Sequence, residues 1–181
     1  MWRTLALLIL LTTTSTVLAQ PNIVFIFADD LGIGDVGAYG GELINTPNID
    51  ALASKGVLFE QAYASHPVCS PSRAGLMSGR YQQRHGWEFN PAARIETSGM
   101  DAQQITLADM LSASGYTTSM VGKWHLGYLP QFHPLNRGFD EYFGVLAGGS
   151  IFIDQSRPDV ESVGNWPLVR DRSKGVYDGR A

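Results

Sequence analysis

The single cysteine of this 181-residue chain, Cys69, opens the stretch Cys69-Ser70-Pro71-Ser72-Arg73, which continues through Ala74-Gly75-Leu76-Met77-Ser78-Gly79-Arg80. An unpaired cysteine in an exported chain carries a free thiol or a group made from it. Ser70 suits an N-cap, and Pro71 suits the first helical position, where a missing N–H costs nothing. Gly79 suits the left-handed residue that ends a helix. The spacing therefore predicts a helix over residues 71–78, with Cys69 just ahead of its N-terminus. Such an end presents N–H groups without helical partners and a partial positive charge, which favours an anion. Arg73 falls in the first turn and adds a planar, permanently charged donor for a tetrahedral oxyanion. A nucleophile beside that helix end, with a positioned arginine, describes an ester hydrolase for a charged group. The cysteine and helix by themselves also fit a small buried hydrophobe.

Two further clusters stand where strands are predicted to end. Residues 22–28 form a near-continuous apolar run, rich in β-branched and aromatic residues, and read as a strand buried on both faces. The run ends in Asp29-Asp30, then Leu31-Gly32-Ile33-Gly34-Asp35. Open α/β sheets bind ligands at the carboxyl ends of their strands, and two adjacent carboxylates there repel each other unless a cation intervenes. All-oxygen donors favour Ca²⁺ or Mg²⁺ over zinc. A plain turn is the other reading, with Asp35 as a supporting residue. A second strand, 116–121, ends at Gly122-Lys123-Trp124-His125-Leu126-Gly127. Lys123 can neutralise an anionic oxygen and His125 can move a proton near neutral pH; a solvated surface loop is the alternative.

The elements that must position these groups alternate between strand and helix. Thr46, Pro47 and Gly56 delimit a helix over 46–56 whose Ile49, Leu52 and Ala53 share one face, predicted to pack on the sheet. Residues 57–59 read as a short strand leading through Tyr63 and His66 to Cys69. His66 fits a surface or packing role at least as well as a catalytic one. Residues 82–100 read as a loop in which Trp87 and Phe89 could shape a pocket. Thr106 caps a helix over 107–114, with Asp109 at its third position and Gly115 at its end.

The string Cys69-x-Pro71-Ser72-Arg73 followed by Ser78-Gly79-Arg80, the Asp29-Asp30 pair, and Gly122-Lys123-Trp124-His125-Leu126-Gly127 together resemble the type I sulfatases. The Thr-Pro-Asn-Ile-Asp-x-Leu-Ala helix and the stretch 133–144 are similar to scaffold segments of that family. The resemblance runs from about Pro21 to about Gly149. It implies an α/β, alkaline-phosphatase-like fold with a central, mostly parallel sheet and helices on both faces, incomplete in this chain. It also implies a sulfuric ester hydrolase. In that family a maturation enzyme oxidises the cysteine to formylglycine, whose hydrate is the nucleophile. Carried over residue by residue, Asp29, Asp30 and the modified Cys69 are Ca²⁺ ligands. Arg73 and Lys123 stabilise added charge, Lys123 contacts the sulfate, and His125 assists the hydrate in expelling sulfate. Ser150 is a substrate contact in some relatives. The partners implied are a sulfate ester, aryl or carbohydrate, and the formylglycine-generating enzyme.

Composition bounds the rest. The apolar fraction of 44% permits a packed core, and the net charge of −4 argues against nucleic acid as a partner. Residues 1–19 combine Arg3, an apolar run from Leu5 to Leu11, and Val17-Leu18-Ala19 before Gln20, the grammar of a signal peptide. That run is short of the roughly 20 residues a membrane span needs. The expectation is a secreted or periplasmic chain cut near Ala19, without a stable membrane anchor. Residues 20–181 are then expected to be the N-terminal portion of a longer catalytic domain. No Asp-Asn pair follows Asp30 and no histidine follows His133, although the family's later half supplies both. Two other classes stay open: a catalytically inactive remnant that binds a sulfated ligand, and a phosphatase or phosphodiesterase of the same superfamily. The latter enzymes use Ser or Thr, two zinc ions and several histidines, against one cysteine and four histidines here.

Overall fold

The computed structural model describes residues 20–91, 98–149 and 177–178. It divides into two compact units, Met1–Ala51 and Leu52–Ala181. Among the described residues no helix is long and apolar enough to cross a membrane.

In the first unit the predicted strand over 22–28 does not form. These residues join no ladder, and Val24 and Ile26 are 85% and 82% exposed. A strand exists only where another backbone supplies its lateral hydrogen bonds, which β-propensity cannot provide by itself. Asp29 and Asp30 form a bend, with Asp30 in the left-handed region at φ 61. Two 3₁₀ turns follow, Ile33–Asp35 and Gly37–Tyr39, and then helix α1, Pro47–Lys55. Asp50 ties this unit together. Its Oδ1 accepts from the Ala38 amide at 2.7 Å and from Thr46 Oγ1 at 2.9 Å, while Thr46 Oγ1 accepts from the Gly37 amide at 2.8 Å. The predicted packing of α1 on a sheet is not observed: Ile49 and Leu52 are exposed. In the second unit, residues 57–59 are likewise exposed and form no strand.

The second unit carries helix α2 (Cys69–Ser78), helix α3 (Leu107–Ala113), and strands β1 (Ser119–Lys123), β2 (Glu141–Val145) and β3 (Tyr177–Asp178). β1 and β2 pair in parallel, in register from Ser119↔Glu141 to Lys123↔Val145, and β3 adds antiparallel to β2. β1 starts and ends later than the 116–121 reading. Thr118 is drawn into a corner instead, where its amide donates to Asp140 Oδ2 at 2.8 Å. The crossover between the parallel strands contains two 3₁₀ turns, Pro130–Phe132 and Pro134–Asn136. α3 keeps the predicted capping box: Thr106 Oγ1 accepts from the Asp109 amide and the Asp109 carboxylate accepts from the Thr106 amide.

The core is Ala74 of α2 with Met100, Trp124, Leu126, Tyr142 and Leu146. Trp124 meets Phe139 edge-on at 6.2 Å, and its indole N–H donates to the Phe132 carbonyl at 2.8 Å. Arg137 is 3% exposed and donates to the carbonyls of Asp101 and Gln104. The next residue, Gly138, sits at φ 88, and a Cβ there would lie 2.2 Å from the Asp109 amide nitrogen at the start of α3.

Two outcomes are expected. Gly138→Ala combines a disfavoured φ with a backbone clash, so chemical denaturation should show a loss of about 2–4 kcal/mol. The His133 ring is buried edge-on to Tyr142 at 5.4 Å, and its Nδ1 accepts from the Leu135 amide at 3.3 Å. Burial pushes this imidazole below its ordinary 6.5. The unfolded chain then takes up the proton first, so the contribution of His133 is present above pH 6.5 and lost as pH falls toward the folded-state value. Melting curves from neutral pH to about pH 5 should be shallower for His133→Gln than for wild type.

Candidate active site

α2 begins two residues earlier than the sequence suggests. Cys69, half-buried, is its first residue, and Val68, extended at φ −110 and ψ 145, stands at the N-cap without a side-chain capping bond. Ser70 is not the cap because its side chain faces inward. It is fully buried, donates through Oγ to the His125 carbonyl at 2.5 Å, and accepts the Trp87 indole N–H at 2.7 Å. The capping function passes to a distant side chain: the Ser70 amide donates to Asn90 Oδ1 at 2.9 Å. The other end of the same carboxamide, Nδ2, donates to Cys69 Sγ at 3.7 Å. Gly79 ends α2 in the left-handed region, as its position predicts.

Arg73 follows on the same helix, 8% exposed, and donates through one terminal nitrogen to the Lys123 carbonyl. Its positive charge acts on Tyr142, whose hydroxyl donates to the Gly122 carbonyl at 3.2 Å. Burial drives the phenol far above its ordinary value, with Arg73 opposing in part, so Tyr142 is a neutral donor at any physiological pH. Lys123 ends β1, and the parallel ladder then carries on past the strand. Trp124 donates to the Val145 carbonyl at 2.9 Å and His125 to the Leu146 carbonyl at 3.1 Å. His125 stands at φ 62, 4% exposed. Gly148 lies flat against its imidazole, where a Cβ would come within 2.4 Å of the ring. The Tyr128 hydroxyl, pushed up by burial, is hydrogen-bonded to the Gly148 backbone.

The second unit thus joins the backbone segments that carry Cys69, Arg73, Lys123 and His125. Ser70 and Arg73 each bond to a carbonyl of the Lys123–His125 segment, so the first turn of α2 is locked to the end of β1. Asp29 and Asp30 belong to the first unit. Asp35, the third carboxylate of that loop, accepts from the Gly32 amide at 3.1 Å and supports the turn. Among the described residues no three His, Cys, Asp or Glu side chains gather closely enough to hold an ion. Ser150 and the leader 1–19 lie outside the described residues. His66 serves the backbone, its Nδ1 accepting from the Val68 amide at 3.0 Å. Of the two aromatic residues singled out in the loop, Trp87 is anchored on Ser70, whereas Phe89 is 81% exposed. Sequence reasoning missed Asn90, Tyr142 and Gly148. Asn90 carries a readable trace, because the following Pro91 restricts it to extended backbone.

The sequence comparisons agree with this geometry. The family model described as Sulfatase matches residues 21–180. Canine N-acetylgalactosamine-6-sulfatase is 41% identical over an alignment of 157 residues, covering 82% of this chain and 30% of that protein. The chain therefore spans about a third of the length of the curated relatives it matches. Among solved structures, Ps i-CgsB in complex with k-i-k-neocarrahexaose is 46% identical with a TM-score of 0.69, covering 72% of this chain and 29% of that one. BT4656 in complex with its substrate D-glucosamine-2-N,6-O-disulfate is 34% identical with a TM-score of 0.60, covering 71% and 24%. These structures have the alkaline-phosphatase-like α/β fold, and the parallel β1–β2 pair with its helices is part of it. By sequence and by fold, this chain belongs to the sulfatase family.

Proposed function

We propose that the protein hydrolyses sulfate esters through a formylglycine made from Cys69, with Ca²⁺ as cofactor. The observation that carries this reading is the double tie between α2 and β1: Ser70 to the His125 carbonyl and Arg73 to the Lys123 carbonyl. It joins the nucleophile's helix to both candidate charge-handling residues. The net reaction turns a sulfate ester and water into an alcohol and hydrogen sulfate. The sulfated carbohydrates in the solved relatives favour a carbohydrate sulfate as substrate, with aryl sulfates as convenient surrogates. The leader-like residues 1–19 support export to the periplasm or the medium.

Maturation is a two-electron oxidation at Cβ of Cys69. The carbon–sulfur bond is replaced by a carbon–oxygen double bond, water supplies the oxygen, sulfide leaves, and the electrons pass to an oxidant held by the maturation enzyme, dioxygen by class. The hydrated aldehyde supplies an oxygen nucleophile on residue 69. Asp29 and Asp30 would contribute ligands to Ca²⁺. Their hard carboxylate oxygens suit it in kind, as part of the about six to eight donors it takes. When bound, the ion withdraws charge from the oxygens it touches.

The chain's own residues supply the rest. Arg73 is fixed by its bond to the Lys123 carbonyl and keeps a permanent positive charge in a nearly dry setting, where it acts more strongly than in water. Lys123 adds an ammonium that neutralises a sulfate oxygen. His125, held by the β2 extension and by Gly148, moves a proton between residue 69 and the departing sulfate. With Cys69→Ala the nucleophile is absent, and aryl sulfate turnover should fall by about a thousandfold or more. Mass spectrometry of the wild-type peptide around residue 69 should show the aldehyde. Turnover retained by the alanine variant would overturn this reading.

A further inference from the structure

We infer that Asn90 is the positioning residue for the nucleophile: one end of its carboxamide closes the N-terminus of α2, and the other fixes the side chain of residue 69. The inference rests on the formylglycine reading above and adds a residue to it. The Ser70 amide can only donate, so Oδ1 of Asn90 must face it, at 2.9 Å. That choice leaves Nδ2, a donor, directed at Cys69 Sγ at 3.7 Å. The orientation of the amide is therefore set by the helix end and not by the thiol.

The segment that carries Asn90 is tethered three residues before it. Trp87 puts its indole N–H on Ser70 Oγ at 2.7 Å, so residues 87 and 90 grip the same serine, one through its side chain and one through its backbone. Pro91 limits the backbone of Asn90 to extended conformations. A donor so placed is fixed in space before residue 69 is modified. Once an oxygen replaces the sulfur, Nδ2 is a donor to that oxygen. The hydrate carries two oxygens on one carbon, free to rotate about χ1, and a single fixed donor removes that freedom and aims one of them. Val68, at the N-cap, has no polar side chain to do this, so the helix end and the nucleophile depend on the same amide.

Asn90→Asp separates the two tasks. The carboxylate still accepts from the Ser70 amide and is favoured at a helix N-terminus, but it has no N–H to give. In the protein co-expressed with its maturation enzyme, this variant should melt at or above the wild-type temperature and carry wild-type aldehyde at residue 69 by mass spectrometry. Its kcat on an aryl sulfate should fall about tenfold or more. Asn90→Ala loses both tasks. It should melt lower and show a similar fall in kcat with KM within about twofold, because no substrate contact is removed. It serves as the readout if the aspartate variant does not fold. Wild-type kcat in either folded, aldehyde-bearing variant would overturn the inference and leave the sulfatase reading intact. A wild-type protein with neither aldehyde nor turnover would remove that reading and the inference with it.

Discussion

The hydroxyl of Ser70 has two partners and no contact with water. It gives its proton to the His125 carbonyl and takes the indole N–H of Trp87, while the amide of the same residue is held by Asn90. Three stretches far apart in the chain thus meet at one buried residue: the first turn of α2, the segment beyond β1, and the loop around residues 87–90. A buried hydroxyl with both functions satisfied has one orientation, and displacing any partner strands a polar group in the interior. The positions of Cys69 and His125 relative to each other follow from this constraint, since each neighbours an atom in it.

Charge is arranged around that junction at some cost in desolvation. Arg73 is almost fully buried yet bonds to a neutral carbonyl, and the nearby Tyr142 phenol is held neutral by burial. The parallel ladder contributes by rigidity. It runs beyond β1 and β2 through Trp124 and His125, and the Gly148 backbone closes on the imidazole. Lys123 and His125 therefore sit on a hydrogen-bonded frame and not on a free loop.

Much of this was legible beforehand wherever the information is local. The capping box of α3, the glycine that ends α2, and the strand running into Lys123 depend on residues within a few positions of one another. The misreadings share one cause. Residues 22–28 and 57–59 have strand composition, but a ladder needs a second backbone. The face of α1 has helical spacing, but it is exposed among the described residues. Ser70 has the chemistry of an N-cap, but a fully buried pair of partners took its side chain, and Asn90, twenty positions later, caps in its place.

The sequence by itself determined the inventory: one cysteine before a Pro-Ser-Arg turn, an acidic pair after an apolar run, and a Gly-Lys-Trp-His-Leu-Gly string, a set specific enough to imply the family. It also determined the short-range geometry, because capping and turn formation are decided by neighbours. Only the tertiary structure decided which side chain faces Cys69, which carbonyls receive Ser70 and Arg73, and that Gly148 must lack a Cβ. Those outcomes rest on hydrogen bonds and close approaches between segments 20 to 55 positions apart. Such contacts form only when the chain closes on itself, and no local preference encodes them.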